Sequence, residues 1–404
     1  MEGPVVPVRV LVVHPRDLAE PTGGGIQTFL RDFVANSPED FEISVAGVTT
    51  DSKARPVGRW MNVKIGSRVA RFLPVARSGS LARQPFSLAN TLRALRMVRR
   101  EMLRPRTVLQ VHRPYRPFLL DRHRGPRVQI IHLDLDAWPG PAGWRRLTWL
   151  YREFTDRLER FDRVFVANEA GAQKLAADNP QIAGRVEFLS GWYDDQSFTQ
   201  LTDAERAGSR EHLVERLRLP PEAVTESWVL FVGRLDLIKD PTLAVDSFAT
   251  LVNSGRAARL IVCGDGDQRA ALTARAGERG VASRTHLIGD QPRAVVAELM
   301  AAADVLLVTS HAEGGGPRVV LEALGSGLPV VSTLVGEVRR SVTSRSNGWL
   351  SEQRTPKSLA DGLRWVLDQP REEIARAARQ SAEPFVASVV LRRLYESYRE
   401  LAAR

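Results

Sequence analysis

Three glycines follow a glutamate in EGGGPRVVLEALGSGLPVV, residues 313 to 331, and a proline then opens a run of helical spacing that carries a second acid, Glu322. The segment before it, ADVLLVTS, is a short apolar, β-branched run of the kind that fills a strand buried on both faces of a parallel sheet. Pro317 suits the first turn of a helix, where its missing N–H has no partner to lose. Strand, glycine loop and helix in that order aim unpaired backbone N–H groups and the positive end of the helix dipole at the sheet's carboxyl edge, a ready seat for phosphate. Gly314, Gly315 and Gly316 let the backbone approach a ligand closely. Glu322 would be repelled by phosphate and suits hydroxyl groups instead, such as those of a ribose. A tight turn followed by a solvated glutamate explains the same residues equally well, because loops between strand and helix are often glycine-rich.

Such a loop needs a framework of alternating strands and helices, and the pattern occurs twice. In the first half the strand-like runs VRVLVVHP, EISVAGV, TVLQVH, VQIIHLD and RVFVANE alternate with IQTFLRDFVAN and WRRLTWLYREFTDRLERF. In the second, SWVLFVG, RLIVCGDG, THLIGD, ADVLLVTS and LPVVST alternate with DPTLAVDSFATLV, PRAVVAELMAA and KSLADGLRWVLDQ. The expected fold class is therefore α/β, with two Rossmann-like, doubly wound domains whose sheets turn their carboxyl ends to a shared cleft. At 404 residues the chain suits two domains of roughly 200 each. The expected division gives residues 1–200 to the first domain and 201–384 to the second, with a polar linker in the region 190 to 227.

Bulk properties exclude several classes. The apolar fraction of 43% is ordinary for a soluble protein, and no stretch approaches the roughly 18 to 20 apolar residues that cross a bilayer. MEGPVVPVRVLVVHPRD lacks a basic n-region followed by a long apolar core, so no signal peptide is expected. One cysteine, Cys263, cannot form an internal disulfide, which points to the cytoplasm. Of the net charge of +10, residues 51 to 150 hold 21 Lys and Arg against 5 Asp and Glu, so one basic lobe joins a mildly acidic remainder. Such a lobe can meet nucleic acid, anionic lipid or an anionic substrate, or be no more than a solvated arginine-rich surface. No recognisable nucleic-acid module accompanies it, and nucleic acid is not expected as a partner.

The segments FVGRLDLIKDPTLAVDSF, LIVCGDGDQRAAL, HLIGDQPRAVVAELMAAADVLLVTS and EGGGPRVVLEALGSGLPVVST stand in an order that resembles GT-B glycosyltransferases of family four, the retaining, sugar-nucleotide-dependent enzymes that include bacterial mannosyl- and glucosyltransferases. GGGIQTFL, residues 23 to 30, is similar to that family's glycine loop after the first strand, and FLSGWYDDQSF to its entry into the linker. The resemblance implies a metal-independent transferase with no cofactor, taking a UDP- or GDP-hexose as substrate, with the donor in the second domain and the acceptor in the first. It assigns Arg234 and Lys239 to the grip on the donor diphosphate, where two cations do what a metal ion does elsewhere. Glu322 takes the ribose hydroxyls, and Gly315, Gly316, Pro317, Arg318 and Val319 belong to the same donor loop and first turn. Gly24 and Gly25 approach the diphosphate from the opposite domain. Leu287 and Ile288 begin the loop that selects the base. His132, at the end of VQII, matches the family's histidine near the transferred sugar, although a satisfied histidine at a strand end is the plainer reading of the residue itself. His112 is read as structural.

One spacing departs from the family. Eight residues, GGGPRVVL, separate Glu313 from Glu322 where the family has seven, and the additional one falls in the glycine run. Either Glu313 reaches the donor sugar through a bulged loop, or Gly314 occupies its position; the first is expected, because a triple glycine absorbs a residue at little steric cost. Other readings are poorer. CGDGDQRAAL would need glycine at Arg269 to be a dinucleotide fingerprint. The DLD of Asp134 and Asp136 imitates a metal-binding DxD, but no His/Cys/Asp/Glu set suggests a metal site. A non-catalytic sugar-nucleotide sensor remains an alternative to an enzyme. The run beginning SRVARFLPVAR, with Phe72, Leu73, Pro74, Val75, Phe86 and Leu88 among arginines, resembles the membrane-docking face of lipid-modifying members, so an anionic membrane surface at the inner face of the cell membrane is an expected partner, with a small soluble acceptor as the competing reading. The final segment, 385 to 404, is expected to return and pack on the first domain.

Overall fold

The computed structural model describes residues 7–14, 17–20, 25–77, 96–104, 106–112, 123–132, 156–313 and 315–404. Gly24, Gly314, Asp134, Asp136, Phe86 and Leu88 lie outside the described residues. The chain divides into two compact units, residues 1–190 with 387–404, and 191–386 between them. The expected boundary at 200 and 201 falls ten residues beyond this one.

The first unit is built on an eight-stranded sheet in the order β3–β4–β2–β1–β5–β6–β7–β8. Its strands are β1 (Val8–Val13), β2 (Phe41–Thr49), β3 (Met61–Ile65), β4 (Arg68–Arg77), β5 (Thr107–Val111), β6 (Arg127–Ile131), β7 (Arg163–Val166) and β8 (Val186–Phe188), all parallel except β3, which pairs antiparallel with β4. Leu11, Val13, Leu73, Val75, Leu109, Val111, Ile131 and Val164 form a core on one face. Helix α1 (Gly25–Ala35) buries Phe29, Leu30 and Phe33, and α2 (Glu169–Asp178) starts at Asn168, whose side chain accepts from the Gly171 N–H at 2.6 Å. The β3–β4 hairpin takes the first part of the basic run into the sheet. Phe72, Leu73 and Val75 are core residues of β4, not surface apolar groups. Arg68 donates to the carbonyls of Pro38 and Phe41, at 2.9 and 3.1 Å, and Arg71 lies over the Trp60 ring while pairing with Glu101 at 3.1 Å.

The second unit has a fully parallel sheet of β9 (Ser227–Val232), β10 (Ala258–Cys263), β11 (Thr285–Gly289), β12 (Val305–Val308), β13 (Val330–Thr333) and β14 (Gly348–Ser351), in the order β11–β10–β9–β12–β13–β14. Side chains alternate across it, as a strand's two-residue period requires. Leu230, Ile261, Leu306 and Val330 pack on one side with α3 (Asp203–Arg216), α6 (Arg293–Ala302), α7 (Arg318–Gly325) and α9 (Arg371–Ala382). Val229, Phe231, Leu260, Val262 and Val305 pack on the other with α4 (Pro241–Asn253), α5 (Arg269–Glu278) and α8 (Pro356–Leu367). Both faces are covered, which is why these strands read as continuous apolar runs. The expected linker is also part of this unit. Helix α3 opens on a capping box of Thr202 and Glu205, buries Leu213 and Val214, and is tied by Arg206 and Arg210 to Asp304, which also accepts from the Trp228 N–H at 2.7 Å.

The last helix, α10 (Ala387–Ala403), belongs to the first unit and packs on β1 and β5. Its Tyr395 hydroxyl donates to the Phe33 carbonyl at 2.6 Å, and its Tyr398 hydroxyl donates to Gln110 at 2.7 Å.

Candidate active site

In a doubly wound sheet, ligands gather outside the carboxyl ends of the strands at the point where strand order reverses. In the second unit that point lies between β9 and β12, neighbours in the sheet but not in sequence. Two loops leave it. The one after β9 carries Arg234 and Lys239, and the one after β12 carries Ser310, Glu313 and the glycines. They are stitched together: the Thr309 hydroxyl reaches the carbonyls of Lys239 and Asp240, each at 2.9 Å, and the His311 N–H donates to the Ile238 carbonyl at 2.7 Å.

On this frame the Lys239 ammonium meets Glu313 Oε1 at 2.5 Å, and the Ser310 hydroxyl donates to the same oxygen at 2.7 Å. Both charged side chains are largely withdrawn from solvent, 22% and 15% exposed. Arg234 is 74% exposed and pairs with Asp236 at 2.7 Å, while the other Asp236 oxygen accepts from the Lys239 N–H at 3.0 Å. Two cations and two carboxylates are thus interlocked on one loop pair. Asp240 caps α4 from a left-handed backbone, φ +45°. Burial would raise its carboxyl, but hydrogen bonds from Thr242, Arg354 and the Leu243 N–H prevail and hold it below the usual carboxylate range.

The glycine loop is confined from behind. A Cβ at Gly336, φ +48°, would stand 2.1 Å from the Gly315 carbonyl oxygen and 3.2 Å from the Glu313 Cβ, so the loop after β13 abuts Gly315 and Glu313 at a distance that only glycine allows. Pro317 is the N-cap of α7, Arg318 its first residue with the guanidinium 5.7 Å from the Trp192 ring, and Val319 follows. Glu322 is not a solvated helix residue. Its side chain is 14% exposed, with Oε1 3.9 Å from the Arg293 guanidinium, itself 3.8 Å from Asp194 and 5.2 Å above Phe198. Leu287 and Ile288 lie in β11, just before its last residue Gly289, and are half-buried against the two cores.

The first unit has its own reversal between β1 and β5. Buried Asp17, after β1, accepts from Thr49, Thr50 and Arg55, and Gln27 of α1 donates to the carbonyls of Asp17 and Glu20. Gly25 is the first residue of α1. His132 follows β6 and lies parallel to His112, ring centres 5.1 Å apart, with Nε2 2.8 Å from His112 Nδ1. Phe29 stands edge-on to both rings and His14 edge-on to His112. Burial, then the neighbouring His132 and His14, pushes His112 well below the usual histidine range, so it is neutral.

The structure therefore brings Lys239 together with Glu313, keeps Arg234 on their loop with its guanidinium on Asp236, and sets Glu322 beside Arg293. Ser310, Asp236, Arg293 and Gln110 were not anticipated. Ser310 and Asp236 were legible as neighbours of candidate residues, whereas Arg293 and Gln110 carry no local signal.

Two doubly wound parallel α/β units, each with its candidate residues at the carboxyl edge of its own sheet, define the GT-B class. Residues 219–383 match the family described as glycosyl transferases group 1. Over 98% of this chain and 99% of the other, the fold is similar to sucrose-phosphate synthase from Thermosynechococcus elongatus, with a TM-score of 0.76 and 18% identity. Among curated proteins the chain is 29% identical to a D-inositol 3-phosphate glycosyltransferase of Corynebacterium urealyticum over 60% of its own length and 58% of that protein. It is 27% identical to the GDP-mannose-dependent alpha-(1-6)-phosphatidylinositol dimannoside mannosyltransferase of Mycobacterium tuberculosis, over 69% and 72%. The chain spans a little over half the length of the first of these relatives. The fold is that of the GT-B glycosyltransferases, and residues 219–383 match their group 1 family.

Proposed function

We propose that the chain is a retaining hexosyltransferase that moves a sugar from a nucleotide-diphosphate donor to an acceptor hydroxyl without a bound metal ion. The observation that carries this reading is the meeting of Lys239, Glu313 and Ser310 at the reversal of the second sheet, with Arg234 on the same loop. As the bond between the anomeric carbon and the terminal phosphate oxygen breaks, the departing diphosphate gathers negative charge. Arg234 and Lys239 answer it as cations already in place. The acceptor oxygen bonds to the anomeric carbon, and its proton passes to the departing phosphate oxygen on the same face, which retains configuration. Glu313 accepts hydrogen bonds from the sugar hydroxyls and Glu322 from the ribose, and the backbone of Gly315 and Gly316 admits the diphosphate. His132 is a hydrogen-bond partner of the bound substrate. A single buried cysteine fits a reducing cytoplasm.

A thermal-shift screen of nucleoside diphosphates and their sugars, followed by a transfer assay, tests this. A true donor at a hundredfold excess over Kd stabilises the protein by about 2.7 kcal/mol. Chelator leaves transfer unchanged. Glu322→Ala weakens binding of the nucleoside diphosphate, whereas Glu313→Gln leaves that binding within about twofold and lowers turnover with the intact sugar nucleotide. A strict requirement for Mg²⁺ or Mn²⁺, or stabilisation by no sugar nucleotide, sinks the reading.

For the acceptor we infer a soluble hydroxyl compound. Phe72, Leu73 and Val75 serve the core and Arg68 and Arg71 are engaged within the fold, so in the described part of the basic run the large apolar side chains left exposed are Val69 and Leu103, which do not adjoin in sequence. Among the described residues no helix is long and apolar enough to cross a membrane. Docking to anionic lipid would gain about 1 kcal/mol for each basic residue near the surface and would fade with salt. The protein is expected to stay in the supernatant with strongly anionic vesicles at low salt. Sedimentation that rises with anionic lipid and falls with salt returns the acceptor to the membrane surface.

A further inference from the structure

Four side chains of the first unit form a hydrogen-bonded file, of which the transfer reading uses His132 alone. The Tyr398 hydroxyl, on the returning helix α10, donates to Gln110 Oε1 at 2.7 Å; Gln110 Nε2 lies 2.6 Å from His112 Nε2; His112 Nδ1 lies 2.8 Å from His132 Nε2. Tyr398, Gln110 and His112 are buried. We propose that Tyr398, through Gln110 and His112, is a positioning residue that fixes the proton of His132 on Nδ1, so that His132 meets its substrate as a hydrogen-bond donor and not as a base.

The direction of the file decides this, and the phenol sets the direction. Glutamine can present either its oxygen or its amide nitrogen to Tyr398. If the nitrogen faced the phenol, the hydroxyl would accept, and its own proton would be buried with no partner at a cost of about 1–3 kcal/mol. With the oxygen toward the phenol, the Tyr398 hydroxyl, the Gln110 amide and the His112 ring proton each have an acceptor. The Gln110 amide then donates to His112 Nε2, which must be bare, so neutral His112 carries its proton on Nδ1 and donates to His132 Nε2. That nitrogen must be bare in turn, and neutral His132 keeps its proton on Nδ1. Burial holds His112 neutral, so it cannot satisfy both neighbours as a doubly protonated ring. Neighbouring groups commonly set a histidine's tautomer through the nitrogen not used in function. Here the setting group lies 266 positions from His132, on the last helix of the chain.

The kinetic consequence rests on the transferase reading, but the tautomer does not, and the test separates them. Ring-nitrogen NMR of the whole protein labelled with ¹⁵N-histidine, without substrate, should show His132 protonated on Nδ1 and bare on Nε2. Tyr398→Phe should leave the fold intact and turn the His132 signal into a mixture of tautomers. In the transfer assay it should lower kcat about five- to tenfold with donor affinity within twofold. Tyr395→Phe is the control: it removes a comparable hydroxyl bond from the same helix, at 2.6 Å to Phe33, outside the file. It should lower the melting temperature and change neither tautomer nor kcat. A wild-type His132 protonated on Nε2, or a Tyr398→Phe protein with the parent's tautomer, overturns the proposal. A tautomer that responds as described in a protein that transfers no sugar would leave the file standing and remove the transferase reading.

Discussion

Lys239→Ala lowers kcat about a hundredfold, the usual cost of removing one preorganised group from the charge that develops in a transition state. Among the described residues the same change leaves Glu313, 15% exposed, with the Ser310 hydroxyl as its side-chain partner, and an acid stranded in that way costs about 1–3 kcal/mol of stability. The two losses separate. In the double variant Lys239→Ala, Glu313→Gln, the stranded charge is gone, so the melting temperature recovers while kcat stays low. Arg234→Ala supplies the contrast. Its guanidinium is mostly in solvent and among the described residues pairs with Asp236, so stability moves by less than about 1 kcal/mol although turnover falls at least about tenfold. Steady-state kinetics beside thermal melts decide the matter. If Lys239→Ala turns over within threefold of the parent, the diphosphate is held elsewhere.

Gly264→Ala is expected to be the most damaging small substitution in the second unit. The residue sits at φ +136°, and an added Cβ would lie 2.0 Å from the carbonyl oxygen of Gly233, the residue before Arg234. The loops after β9 and β10 are laced there: Gly233 N–H to the Cys263 carbonyl at 3.0 Å, Leu235 N–H to Asp265 at 2.9 Å, and Gln268 N–H to Leu235 at 2.8 Å. Backbone strain of about 1–3 kcal/mol adds to an overpacking cost of similar size. In a unit of this length that lowers the melting temperature by about 5 to 15 °C. The cation loop is pushed off its seat, so turnover falls as well. Gly255→Ala calibrates the result, since Gly255 also has positive φ, +93°, but open space around it. It should lose only the strain, about 1 kcal/mol. A Gly264→Ala protein that melts with the parent would mean the loops relax without cost.

The buried parallel strands were legible because both faces are covered and the apolar run is unbroken. The β3–β4 hairpin was not. Its arginines alternate with core residues, and charge next to Phe72 and Leu73 reads as surface until Trp60 and Glu101 are seen to receive Arg71. The proximity of Lys239 to Glu313 followed from two strands flanking one reversal, a matter of topology that motif order conveys. The neighbourhood of Glu322 and Arg293 did not, because it depends on how α6 and α7 pack on the same side of the sheet. Gly264 could be used in sequence only to reject a dinucleotide fingerprint. Its reason is the backbone of another loop, and no spacing within CGDGD encodes that. Gln110 and Tyr398 lie 288 residues apart, and neither has a local pattern that announces a partner.

Because α10 completes the first unit while residues 191–386 form a unit of their own, the order of synthesis and the order of assembly differ. The second unit is contiguous and can close as soon as it leaves the ribosome. The first must wait for the chain beyond residue 386, about 10 to 40 s after its eighth strand at ordinary elongation rates. During that interval Phe33 and the strands β1 and β5 lack the helix that later covers them, and an apolar face stands open to chaperones or to other nascent chains.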